Sequence, residues 1–192
     1  MSKTLTATEN TAKKNTWISS LEEFKNLRVV VFCGMMAACA IVLGLVATIK
    51  LGPYIKIGFS GLPNRIVDFL FGPAVGAIFG GALDIIKWFI SPDGDFFPGF
   101  TISAMAGGII YGSILYKHKL SIQRMFVAQL IVKVFVNIGL NSLWLKILYD
   151  QAILALLPAR ILSNAIMLPI DTILYFVVLT AIDKSIRKYF VN

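Results

Sequence analysis

Asp84, Lys87 and Trp88 stand at i, i+3 and i+4, and Asn137, Asn141 and Trp144 repeat that pattern of polar groups one turn from an indole. On a helix each set shares one face. Arg160 and Asn164 are likewise one turn apart, and Arg65 stands among apolar residues. Amides and carboxylates beside Trp, Phe and Tyr suit a flat heteroaromatic ring, which stacks on the aromatic side chains while donors and acceptors read its edge. Lys50, Lys56, Arg65, Lys87, Lys146 and Arg160 would draw an anion. The expected chemistry is therefore noncovalent capture of a molecule with a flat polar ring and an anionic tail.

Bond-making chemistry finds less support. His118 is the single histidine and lies between Lys117 and Lys119, while Cys33 and Cys39 share one apolar run, so neither a Cys–His pair nor a metal set can be assembled. No Gly-x-x-x-x-Gly-Lys-[Ser/Thr] loop occurs, so ATP hydrolysis would have to come from another subunit. The expectation is no catalytic residue, no metal and no cofactor. A net charge of +8 raises the question of nucleic acid, but the basic residues sit in tails and connections rather than in a stripe interleaved with aromatics.

The elements that must position these residues are apolar. With 57% apolar and 15% charged residues and a mean hydropathy of +0.79, the 192-residue chain reads as an all-α integral membrane protein. Residues 1–26 read as a polar, mobile tail with a short amphipathic piece near Trp17 to Phe24, and 27–192 as a single membrane domain. Six helices are expected: Val29 to Ile49, a short one from Leu62 to Phe71 ending at Gly72-Pro73, Ala74 to Ile90, Gly99 to Tyr116, Ile122 to Leu148, and Ala159 to Ile182 after Pro158. Lys13, Lys14, Lys25 and Arg28, then Lys117, Lys119 and Arg124, then Lys184, Arg187 and Lys188 mark three inner segments, so both termini are expected to be cytoplasmic.

In that orientation the polar residues gather in the outer half of the membrane. Thr101 and Ser103 enter the bilayer just below the loop holding Asp93 and Asp95, in the stretch Phe96 to Gly112. The plainer account, in which such side chains snorkel or pair among themselves, suits any one of them better than the set. Gly72, Gly76 and Gly80, with Gly108 and Gly112, offer close helix contacts. Gly34, Ala37, Ala38 and Ala40 on the first span would make a smooth surface for a membrane partner.

Several fragments, in order, resemble one family. They are Lys56-Ile-Gly-Phe-Ser60 with Leu62-Pro63, Phe71-Gly-Pro-Ala-Val-Gly76, Asp84, Phe97-Pro-Gly-Phe-Thr-Ile-Ser103, Asn141-Ser-Leu-Trp-Leu145 with Leu148-Tyr149, and Leu157-Pro-Ala-Arg160 ending in Leu168-Pro-Ile-Asp171. The sequence from about Leu27 onward resembles the substrate-binding S-components of energy-coupling factor (ECF) vitamin importers, and among them the folate-specific FolT family. The resemblance implies a six-helix bundle in the bacterial cell membrane with a folate or pterin site near the outer face, covered by the loop after the first span. It also implies docking on a membrane scaffold subunit coupled to two ATPase subunits, with toppling in the membrane to release folate inward. A lining role carries over to Phe59, Phe100 and Thr101. Chemistry assigns Arg160 and Lys87 to the glutamate carboxylates, Asp84, Asn141 and Asn164 to the pterin edge, and Trp88 and Trp144 to the ring walls, with Arg65 and Ser103 in the same set. The family's docking motif looks like Gly34, Ala37, Ala38 and Ala40.

Other readings stay open at this level: an S-component for hydroxymethylpyrimidine or pantothenate, a proton-coupled transporter using Asp68, Asp84 or Asp171, or a membrane subunit without a ligand.

Overall fold

Gly72 is where the bundle folds back on itself. In the computed structural model, which describes residues 16–51, 55–92, 96–149 and 153–185, helical structure runs from Leu62 to Ile90, broken at Gly72 by φ 86° and ψ −170°. Pro73 follows and cannot donate to the preceding turn. Asp68 and Gly76 would lie about 12 Å apart along a straight helix, yet the Asp68 carboxylate packs against Gly76. The chain therefore reverses, and the segment is two antiparallel helices meeting at Gly72-Pro73, as their residue types foretold.

We number the helices α1 (16–23), α2 (Leu27–Val46), α3 (Leu62–Ile90, with arms 62–71 and 74–90), α4 (Pro98–Leu115), α5 (Ile122–Ile131), α6 (Asn141–Tyr149) and α7 (Ile153–Ser185). A π-helical stretch, Val132–Leu140, joins α5 to α6 without a break. Among the described residues five stretches are long and apolar enough to span a membrane, and counting the two arms of α3 separately gives six membrane helices.

Three features differ from expectation. The first span stops at Val46, because 48–51 pairs with 55–58 in an antiparallel hairpin (β1, Thr48–Leu51; β2, Ile55–Gly58) whose register sets Lys50 opposite Lys56. The last helix begins at Ile153, with Pro158 inside it. A proline that close to a helix start removes only one intrahelical bond. The short piece expected near Trp17 to Phe24 is the helix α1, and it is docked rather than mobile, with Ser20 fully buried and Phe24 packed on the core. Lys13, Lys14, Asp93, Asp95, Arg187 and Lys188 lie outside the described residues.

The longest interface is that of the second α3 arm with α4. Pro73 meets Gly112, Gly76 meets Gly108, Gly80 meets the Ala104 carbonyl and Asp84 meets Thr101, an antiparallel run in which backbone touches backbone. Small residues permit this approach, and apolar packing in lipid rewards it. Around that seam Phe71, Leu70, Leu83, Tyr111, Leu115, Met125 and Leu179 form the most deeply buried core.

Candidate ligand-binding site

Two layers of polar contacts cross the bundle. The outer layer starts at the Pro-Gly-Phe-Thr turn that opens α4. Thr101 Oγ1 donates to Asp84 Oδ2 at 2.8 Å, and Trp144 Nε1 donates to the buried Ser103 Oγ at 3.0 Å. Trp144 also lies 5.7 Å from the Phe97 ring, and Phe97 lies 6.1 Å edge-on to Phe100. Gly99 sits beneath that aromatic pair, where a Cβ would come within 2.6 Å of Trp144. Lys87 is half-buried and within Coulombic reach of Asp84 and Arg65. Trp88 packs against Phe89 and Phe96.

The same layer continues onto the π-helical stretch and α7. Asn137 Nδ2 donates to Asn164 Oδ1 at 3.3 Å, Arg160 Nη1 donates to the Asn137 carbonyl at 3.4 Å, and Asn164 Nδ2 donates to the Arg160 carbonyl at 2.9 Å. π-helical turns recur at functional sites because the widened turn re-aims side chains. Here that turn brings Lys133 and Asn137 toward α7, where Lys133 Nζ bonds Asp171 Oδ2 at 2.7 Å. Asp171 is thus ion-paired.

Beneath it lies a second layer that sequence reasoning had not separated from the first. Arg65 bonds Asp68 Oδ2 at 2.7 Å and lies 3.6 Å over the Tyr111 ring. Tyr111 Oη in turn donates to Gln129 Oε1 at 2.5 Å. Arg65 is accordingly not at the outer rim, as expected from its place at a helix start. It stands beside Gly107 and Tyr111, within the bundle. Tyr111 and Gln129 were missed; the available signal was a tyrosine or glutamine within an apolar span, each a group that needs a hydrogen-bond partner in lipid.

Several buried polar atoms have no partner among the described residues: Asn64 Oδ1, Gln129 Nε2, Asn141 Oδ1 and Ser142 Oγ. Leaving such groups unpaired is costly, and Asn141 and Ser142, adjacent on α6, keep an acceptor and a hydroxyl free at the outer layer. They suit the edge of a heteroaromatic ring, which carries donors and acceptors. Asn141 was an expected member of the site. Phe59 is half-buried in the turn Phe59–Gly61 between β2 and α3, with its N–H donating to the Ala47 carbonyl at 3.4 Å, so it closes the end of α2.

Of the expected docking residues, Ala40 is fully buried and faces the core, whereas Gly34 and Ala38 are exposed. Ala40 is thus withdrawn from the docking surface. Gly34 and Ala37 line an apolar groove of about 200 Å³ with Phe79, Ala82 and Ile86. No group of His, Cys, Asp and Glu capable of holding a metal occurs among the described residues.

Comparison with known proteins gives a consistent picture. The family profile described as "ECF transporter, substrate-specific component" matches residues 28–179. A folate transporter, FolT, from Clostridium novyi is 35% identical over 160 residues, covering 83% of this chain and 92% of that protein. FolT from Leuconostoc mesenteroides is 34% identical over 144 residues, covering 71% and 78%. Among solved structures, that of FolT bound with folic acid superposes with a TM-score of 0.72 at 28% identity, covering 80% of this chain and 93% of the other.

Proposed function

Because the chain belongs to the substrate-specific component family of ECF transporters, we propose that it is the folate-binding membrane subunit of such an importer. The observation that carries this is the superposition on FolT holding folic acid over 80% of the chain. The curated relatives named as folate transporters support the same ligand.

The polar layers supply what folate needs. Its pterin is a flat ring with donors and acceptors along one edge, for which the unpaired Asn141 and Ser142 atoms lie on the same helix as Trp144, whose indole packs on Phe97. Its glutamate carries two carboxylates. Among the described residues the Arg160 guanidinium makes one long hydrogen bond, to the Asn137 carbonyl, which leaves donors for a carboxylate, and Lys87 stands one turn from Asp84 on α3. Asp84, Thr101, Ser103 and Asn164 hold the helices in register around the ring, and the Arg65–Tyr111 stack forms the floor. Phe59 and the hairpin form the lid side, and Trp88 stiffens the aromatic rim.

The chain provides capture and no driving force. A ligand shifts a conformational equilibrium only by its differential affinity for the two states, so uphill delivery requires a partner that consumes energy. In this reading that partner is a membrane scaffold coupled to two ATPase subunits, in a bacterial cell membrane, with Gly34, Ala37 and Ala38 at the scaffold contact.

Arg160 gives a direct test of ligand orientation. Removing a charge-assisted hydrogen bond costs about 1.5–3 kcal/mol, or roughly 10- to 100-fold in affinity. Equilibrium binding should therefore weaken by that factor for folic acid in Arg160→Ala, and stay unchanged for a pterin lacking the glutamate. Equal weakening of both ligands would move Arg160 to the ring end, and unchanged folic acid binding would remove it from the site.

A further inference from the structure

The short helix α1 has a face that neither the bundle nor the proposed ligand uses. At about 100° per residue its side chains divide into three sectors. Thr16, Ser20, Glu23 and Phe24 turn toward the bundle, Trp17, Ile18 and Leu21 form an apolar sector beside them, and the polar remainder is half-buried Ser19, facing away from Leu21, with exposed Glu22 between Ser19 and Ile18. The apolar sector is exposed, with Trp17 at 38%, Ile18 at 43% and Leu21 at 51%.

Its docking is specific. Ser20 Oγ donates to the Phe71 carbonyl at 2.6 Å and accepts from the Ala74 and Val75 N–H groups at 3.1 and 3.2 Å. One hydroxyl thus satisfies the last turn of one α3 arm and the first turn of the next, where helix ends leave orphan groups. Tyr116 closes the other side of the same reversal, against Gly72. Burial raises the Glu23 carboxyl above its usual range, with Lys117 opposing the shift, so α1 lies beside the α4–α5 connection.

That end of the bundle is basic. Lys25, Arg28, Lys117, Lys119 and Arg124 are all exposed there, and α2 begins with exposed Leu27, Val30 and Val31, so the apolar sector of α1 leads into a lipid-facing surface. A helix with one apolar side, one watery side and a basic surround has the form that settles in the headgroup region. The basic groups attract anionic headgroups.

We propose that α1 is an interfacial helix whose Trp17, Ile18 and Leu21 insert into the anionic inner leaflet, while Ser20 fastens the α3 reversal to it. The membrane surface then fixes the position of the inner end of the bundle through α1. The exposed apolar face is a lipid contact rather than a protein-docking surface.

The test places a nitroxide at Leu21→Cys or at Ser19→Cys in the full chain carrying Cys33→Ala and Cys39→Ala. The protein is reconstituted in nanodiscs of phosphatidylcholine with or without phosphatidylglycerol. The ratio of oxygen to nickel-chelate accessibility should be several-fold higher at position 21 than at 19, and should rise further at 21 with the anionic lipid. A label at Ile18→Cys should follow position 21, guarding against a local effect of one substitution. Equal nickel access at all three positions would overturn the proposal. A ratio at 21 that ignores phosphatidylglycerol would overturn its anionic part.

Discussion

Replacing Gly108 by Leu is expected to prevent the bundle from assembling. A Cβ at Gly108 would strike the Gly76 carbonyl, and the nearest atoms are all backbone, so no side chain can move aside. Overpacking of a tight interior costs about 1–3 kcal/mol even where side chains can adjust. Here two helices must separate along the seam that aligns Asp84 with Thr101, so the cost should reach or exceed the top of that range and ligand binding should be lost with the fold. Thermal unfolding in detergent, followed by circular dichroism and by aggregation, measures it. Gly34→Ala is the control: nothing lies within 4 Å of its added Cβ, so stability should hold or rise by up to about 1 kcal/mol as glycine's extra backbone entropy is removed. A Gly108→Leu protein that unfolds at the wild-type temperature would contradict the packing described.

Breaking the Arg65–Asp68 pair should have a comparable effect by a different route. Asp68 is 1% exposed and Arg65 13%, so removing either partner leaves an uncompensated charge inside the bundle. Such losses cost about 3–5 kcal/mol, whereas replacing both partners together is often neutral. Arg65→Met and Asp68→Asn should each lower the unfolding temperature markedly, and the double variant should recover most of the loss. Folic acid affinity separates structure from recognition. If the Arg65–Tyr111 stack is the floor of the site, the double variant regains stability without regaining affinity. Recovery of both would make the pair purely structural, and equal loss in the double and single variants would contradict the pairing itself.

Much of this was legible in residue order. Gly72-Pro73 announced the reversal because only glycine adopts that φ readily and proline cannot continue the preceding helix. The Gly76, Gly80, Gly108 and Gly112 spacing announced the close seam, though not which helix faced which. The alternation of apolar and lysine residues in 48–51 and 55–58 carried a hairpin signal, but its first two residues ended an apolar run and were read into the first span, and the rest was read as a connecting loop. Pro158 misplaced the start of α7, since its penalty falls on a single bond near the helix end.

Within the candidate site, the spacing of Asn137, Asn141 and Trp144 put these residues on one helical run. It could not reveal that Trp144 reaches Ser103 or that Asn137 lies in a π-helical turn facing Asn164, because those contacts join residues 27 to 41 positions apart. Tyr111 and Gln129 are silent in hydropathy and become visible only when the α4–α5 crossing brings the phenol to the amide. Ser20 was invisible for the same reason: its partners are 51 to 55 residues away.

The most direct measurement is calorimetric titration of the purified chain in detergent with folic acid, using thiamine and pantothenate as controls. Saturable binding near one to one with folic acid alone is the predicted result. Absence of folic acid binding in protein that unfolds cooperatively, or preference for one of the controls, would contradict the assignment of this site to folate.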